Sequence, residues 1–182
     1  DGVDFGDPLT LDDSDFTLDA VVPSVENESS VNVSVLTNVA AGVALRSIVT
    51  GTSTDIVTAI NNANTSVVSR FGLTGNVTQL PIVDVTDPTA VATANSNALK
   101  YNLYNAAVVQ SVLADNNLAS VVTSVSSFTN QWLTNVGLAD TETTNDPANV
   151  TLAEILSNAS NVIDAIRNRD TGGTLSTTLN DL

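Results

Sequence analysis

The stretch Val31–Leu45, VNVSVLTNVAAGVAL, changes period halfway along. Val31, Val33 and Val35 alternate with polar residues, as in a half-buried extended segment. From Leu36 the apolar positions fall at Leu36, Ala40 and Val43, the spacing of a helix face. No glycine or proline separates the two patterns. The stretch therefore reads as a junction where a strand-like segment hands over to a helix.

Downstream the spacing stays helical. The first helix is expected to reach about Val49 and stop at Thr50-Gly51. The second opens with a capping-type Thr52 and Asp55, carries the stripe Ile56, Ile60, Ala63, Val67 and Phe71, and ends at Gly72. An apolar connector, Leu73 to Val85, is expected to pack across the helices. Asp87-Pro88 then opens the longest helix, with Leu99, Leu103, Ala106 and Leu113 as its stripe and Tyr101 and Tyr104 beside it. The next helix places Leu118, Val121, Val125, Phe128 and Trp132 at steps of three and four and closes at Gly137. Asp146-Pro147 is expected to open the last, whose stripe is Leu152, Ile155, Ala159, Val162 and Ile166.

These elements make an all-α bundle of about five helices with a short extended N-terminal arm. Residues 1–30 read as an acidic extended arm or the remnant of a preceding β domain, 31–172 as the helical module, and 173–182 as a polar, frayed tail. Exposed helix positions carry Asn, Ser and Thr rather than Glu and Lys, so intrinsic helix propensity is weak and packing must hold the helices.

The 182 residues suit one domain, or one domain with an appendage, and 42% are hydrophobic, enough for a core built mainly of Val, Ala, Leu and Ile. A formal net charge of −15 repels phosphate backbones and anionic lipid, which makes nucleic acid and membrane surfaces poor partners. No apolar run approaches the roughly 20 residues of a membrane span. Without a signal peptide or initiator Met, the chain reads as a mature or excised fragment. Cysteine and histidine are both absent. That excludes disulfides, thiolate chemistry, Ser-His-Asp and Cys-His pairs and imidazole metal ligation. Few basic residues leave few sites for trypsin-like proteases, which fits an extracellular life.

The order "VNVSVLTNVAAGVA", "INNANTSVVSRFGLTGNVTQLPIVDVTDPTA" and "NALKYNLYNAAVVQS" resembles a helical module of large bacterial cell-surface, adhesin-like proteins, where it commonly follows immunoglobulin-like β-sandwich domains. The match runs over Val31 through Thr37, Ala63 through Leu73, Pro81 through Asp84 and Tyr104 through Ala107. Val35 stands where the pattern has proline. The resemblance covers roughly Val31 to Leu118. It implies an exported protein at the surface of a Gram-negative bacterium or secreted from it, with other domains of the same protein as partners and no catalytic residues.

Three constellations bear on chemistry. The N-terminal carboxylates Asp4, Asp7, Asp12, Asp13 and Asp15, with Asp1, are raw material for a calcium site, although they lack EF-hand spacing; the other reading is a solvated acidic arm. Asp170-Thr171-Gly172 has the aspartic-protease tripeptide, but at the end of an amphipathic helix it reads as a helix stop. Trp132, Tyr101 and Tyr104 offer aromatic surface for a glycan. Trp132 falls on its helix's apolar stripe and reads as core, while of Tyr101 and Tyr104, at i and i+3, one is expected to reach the surface. Six Asn-x-Ser/Thr sequons suit a chain this rich in Asn, Ser and Thr and imply no glycosylation. The leading expectation is a non-enzymatic structural or adhesion-associated module. The alternatives are a glycan- or polymer-binding module using Tyr101, Tyr104 and an Asn-rich face, and a carboxylate-dependent hydrolase.

Overall fold

In place of a glycine or proline, a serine makes the junction. The computed structural model describes residues 17–26, 30–110, 125–126, 128–133, 151–170, 173 and 175. In it Ser34 is fully extended (φ −155°, ψ 176°) and caps helix α1, Val35–Val49. The Thr37 amide donates to Ser34 Oγ at 3.3 Å and the Ser34 amide donates to Thr37 Oγ1 at 2.7 Å, a reciprocal capping box. Two orphan donors are satisfied within one turn, so extended backbone becomes helix from one residue to the next.

Helix α2, Ile56–Arg70, starts three residues beyond the expected Thr52 cap. Asp55 is itself the N-cap, its carboxylate accepting the Thr58 amide at 2.8 Å. The helix ends in a Schellman motif. Gly72 takes φ 61°, its amide donates to Ser69 O at 3.1 Å, and the Leu73 amide donates to Val68 O at 2.9 Å. Ile56, placed on the stripe, is 60% exposed because it sits in the first turn, whereas Ile60, Ala63, Val67 and Phe71 are buried.

The single long helix expected after Asp87 is two. Helix α3, Pro88–Thr93, is capped by Asp87, and the backbone extends at Ala94 (ψ 147°). Helix α4, Ser96–Gln110, follows, with Asn95 Oδ1 accepting the Ala98 amide at 2.9 Å. Asn95 offers the backbone a side-chain partner outside the helix ladder, and the helix breaks there. Residues 125–126 and 128–133 are helical, burying Val125, Phe128 and Trp132; Leu113, Leu118, Val121 and Gly137 lie outside the described residues.

The last helix, α5, Leu152–Arg169, begins later than Asp146-Pro147 implied. Thr151 and Glu154 form its capping box, with the Thr151 amide donating to Glu154 Oε2 at 2.7 Å. Among the described residues 66% are helical and none is in a strand, so the class is all-α.

Helix α1 packs on α2, and α4 on α5. An aromatic cluster joins the pairs: the Phe71 ring lies 5.1 Å from Tyr104 and 5.8 Å from Trp132, and Phe128 meets Trp132 edge-on at 6.1 Å. Gly42 lets residues 129–133 approach α1, since a Cβ there would lie 3.2 Å from Leu133 Cδ1. The arm folds back onto the helices, with Leu18 against the main core and Val21 against Ala44, Ile60 and Ala63.

The abundance of asparagine has a use here. Extended backbone outside a sheet still needs hydrogen-bond partners, and a side-chain amide can both donate and accept. Two such amides come from α4, and a third holds the first turn of α1. Asn97 accepts from the Thr74 amide and donates to Thr74 O, both at 2.9 Å. Asn102 donates to Pro81 O at 2.9 Å, and Asn105 accepts the Leu36 amide at 3.1 Å. On α1, Asn38 accepts the Asp19 amide at 3.0 Å. Arm and connector are thereby fastened to the bundle.

Candidate functional site

The two tyrosines do not form an exposed pair. Tyr101 is fully buried, and its Oη lies 2.7 Å from the Oγ of the capping Ser34. Tyr104 is half-buried against Phe71 and borders a cleft of about 250 Å³ between α4 and α5, lined also by Lys100, Leu156 and Ser160. Trp132, 3% exposed, belongs to the core as its stripe position implied.

The calcium candidates Asp4, Asp7, Asp12, Asp13 and Asp15 lie outside the described residues. Among the described residues no carboxylate is buried, and no three acidic groups come together as metal ligands would. Asp170 acts as the helix stop expected of it: it is the C-cap of α5, and its Oδ2 accepts the Leu175 amide at 2.8 Å. Three of the sequon asparagines serve the fold. Asn64 is buried, Asn32 donates to Leu80 O, and Asn76 caps the 3₁₀ turn Val77–Gln79. No described helix is long and apolar enough to cross a membrane.

A larger cleft, about 460 Å³, opens where α1, α2 and residues 132–133 meet. Val43, Leu133 and Trp132 supply its apolar part. Its polar rim holds the Arg46 guanidinium and the hydroxyls of Ser47, Thr50, Thr52 and Ser66. Arg46 Nη1 donates to Leu133 O, which ties the side chain across the cleft, and no described carboxylate pairs with it. Thr50 Oγ1 donates to Arg46 O and lies 2.9 Å from Thr52 Oγ1. Apolar spacing cannot reveal this site, whose members come from four parts of the chain. One sequence signal was available: Arg46 is the only charged residue between Glu28 and Asp55.

Burial raises the pKa of Tyr101 above the usual 10.0, partly offset by hydrogen bonds from Ser34 and Asn105, and burial alone raises that of Tyr104. Because both folded values exceed the unfolded one, the fold favours the neutral phenols. Their contribution to stability is complete below the unfolded value of about 10 and is lost as pH rises through the folded values. Melting temperature is therefore expected to fall above that pH in step with tyrosinate absorbance, and Tyr101→Phe should flatten the fall. On the acid side, hydrogen bonds from Thr58 and from Thr86 lower the pKa values of Asp55 and Asp84. Their contribution is present above the unfolded value near 4 and is lost as pH falls through the folded values.

Compared with protein-family models, with curated proteins and with solved structures, the chain matches none.

Proposed function

We propose that the chain is a non-enzymatic structural or adhesion-associated module of a bacterial cell-surface or secreted protein, one that fixes the direction in which an extended segment enters a helical bundle. Its partners are other domains of the same protein. The observation that carries this reading is the fastening of residues 30–36. Gln79 Nε2 donates to Ser30 O at 2.9 Å, and the Asn32 amide donates to Thr78 O at 2.9 Å. Asn32 Nδ2 donates to Leu80 O, Ser34 Oγ bonds Tyr101 Oη, and Asn105 Oδ1 accepts the Leu36 amide. Five bonds to the connector and α4 hold the approach at residues 30–34 and the first turn of α1, as a spacer that presents a neighbouring domain in one orientation requires.

Two measurements test it. Antibody against the chain should label intact cells or culture fluid; labelling only after lysis would overturn the location. In the full-length protein, residues 31–172 are then replaced by a Gly/Ser linker, which behaves as a random coil. Cell attachment should drop at unchanged surface display, whereas unchanged attachment would remove the spacing role.

A further inference from the structure

We infer that the cleft bounded by α1, α2 and residues 132–133 binds a saccharide carrying a carboxylate, a uronic acid unit. The site is distinct from the spacing role and does not depend on it. Its volume of about 460 Å³ falls within the ~300–1,000 Å³ usual for small-ligand pockets. Its chemistry is divided as a pyranose ring is divided. Val43, Leu133 and Trp132 offer an apolar surface for the C–H face, while Ser47 and Ser66 offer hydroxyls that both donate and accept. Arg46 adds a planar fork that matches a carboxylate.

Charge distribution selects the acidic sugar. A chain of net charge −15 repels anions over most of its surface. From residue 29 to residue 54, however, the only charge is Arg46, and it stands at this cleft. A carboxylate is accommodated here, whereas on a mainly acidic surface it would be turned away. The smaller cleft at Lys100 and Tyr104 is about half the volume and has one lining hydroxyl besides the phenol, that of Ser160.

Trp132 is the only tryptophan and lines the cleft, so its emission reports occupancy without a label. The whole chain would be titrated at constant ionic strength with oligogalacturonate, with the same oligomer after carboxyl reduction, with a short acidic peptide and with an aliphatic dicarboxylate. Saturable change with the uronate is expected, weakened about 10-fold or more by carboxyl reduction and by Arg46→Gln, which remove a charge-assisted pair. Ser66→Ala, which leaves the Arg46–Leu133 bond in place, should weaken binding several-fold even if R46Q fails to fold. Lys100→Gln should leave it unchanged. The inference is overturned by no saturable response, by equal binding to folded R46Q, or by equal loss with K100Q, which would signify charge screening. Equal affinity for the peptide or the dicarboxylate would likewise reject a sugar site.

Discussion

Tyr101→Ala is expected to cost about 3–5 kcal/mol, the range for removing a buried aromatic ring. Tyr101→Phe should cost only about 1 kcal/mol, the worth of one neutral hydrogen bond. The difference follows from what each change leaves behind. Tyr101 is fully buried on α4, and its hydroxyl meets Ser34 Oγ, which also accepts the Thr37 amide. Phenylalanine keeps the ring volume and leaves the Ser34 hydroxyl a partner. Alanine loses the same bond to Ser34 and in addition empties the space beneath the α1 N-cap. Denaturant unfolding of both variants decides between this role and direct ligand contact. If Y101A retained the stability of the parent while losing a ligand, the ring would be a binding residue; near-equal losses for Y101A and Y101F would place the energy in the hydroxyl.

That placement bears on what could be read from the sequence. The stripes of α2 and α5 were legible because Ile60, Ala63, Val67, Ile155, Val162 and Ile166 recur at helical spacing and are buried. Trp132 followed from the same reasoning. Tyr101 and Tyr104 resisted it. At i and i+3 both lie near the edge of the stripe, and which ring turns inward is decided by Ser34, 67 residues away in sequence, meeting the hydroxyl of Tyr101. The turn from extended to helical backbone at Ser34 was visible as a change of period, but its chemical cause was not. A serine cap with threonine at N3 is hard to distinguish in a chain where Ser and Thr are everywhere.

Helix ends were misplaced for the same reason. Asp-Pro pairs draw the eye as starts, and Asp87-Pro88 is one, yet α5 starts at the reciprocal pair Thr151 and Glu154. The Thr-x-x-Glu pair sets the start of α5 because each side chain accepts the other's backbone amide. Asn95 breaks the helix between α3 and α4 with the same side chain that Asn97, Asn102 and Asn105 use to hold other segments. Composition alone gives no contrast between a breaker and a clamp. The Arg46 cleft is built from α1, the following loop, α2 and residues 132–133, so only packing assembles it.

The clamps can be ranked, and the ranking is itself an expected result. Asn105→Ala removes the acceptor of the Leu36 amide, and Leu36 is fully buried in the second position of α1. Water does not readily replace that partner, so the loss should be about 1–3 kcal/mol, the cost of an unsatisfied buried donor. Asn97→Ala removes two bonds, as Asn105→Ala does with its bond to Tyr101 O included, but both reach the exposed Thr74. Water can take them over, and the loss should stay below about 1 kcal/mol. Burial of the backbone group, not the number of bonds, is the deciding quantity. Because Asn105 also donates to Tyr101 O at 2.8 Å, N105A and Y101F perturb one α1–α4 junction. Their combined effect should depart from the sum by at least about 0.5 kcal/mol. Additive losses, or a larger loss for N97A than for N105A, would mean that the Leu36 amide gains little from Asn105 and that apolar contact alone joins α1 to α4.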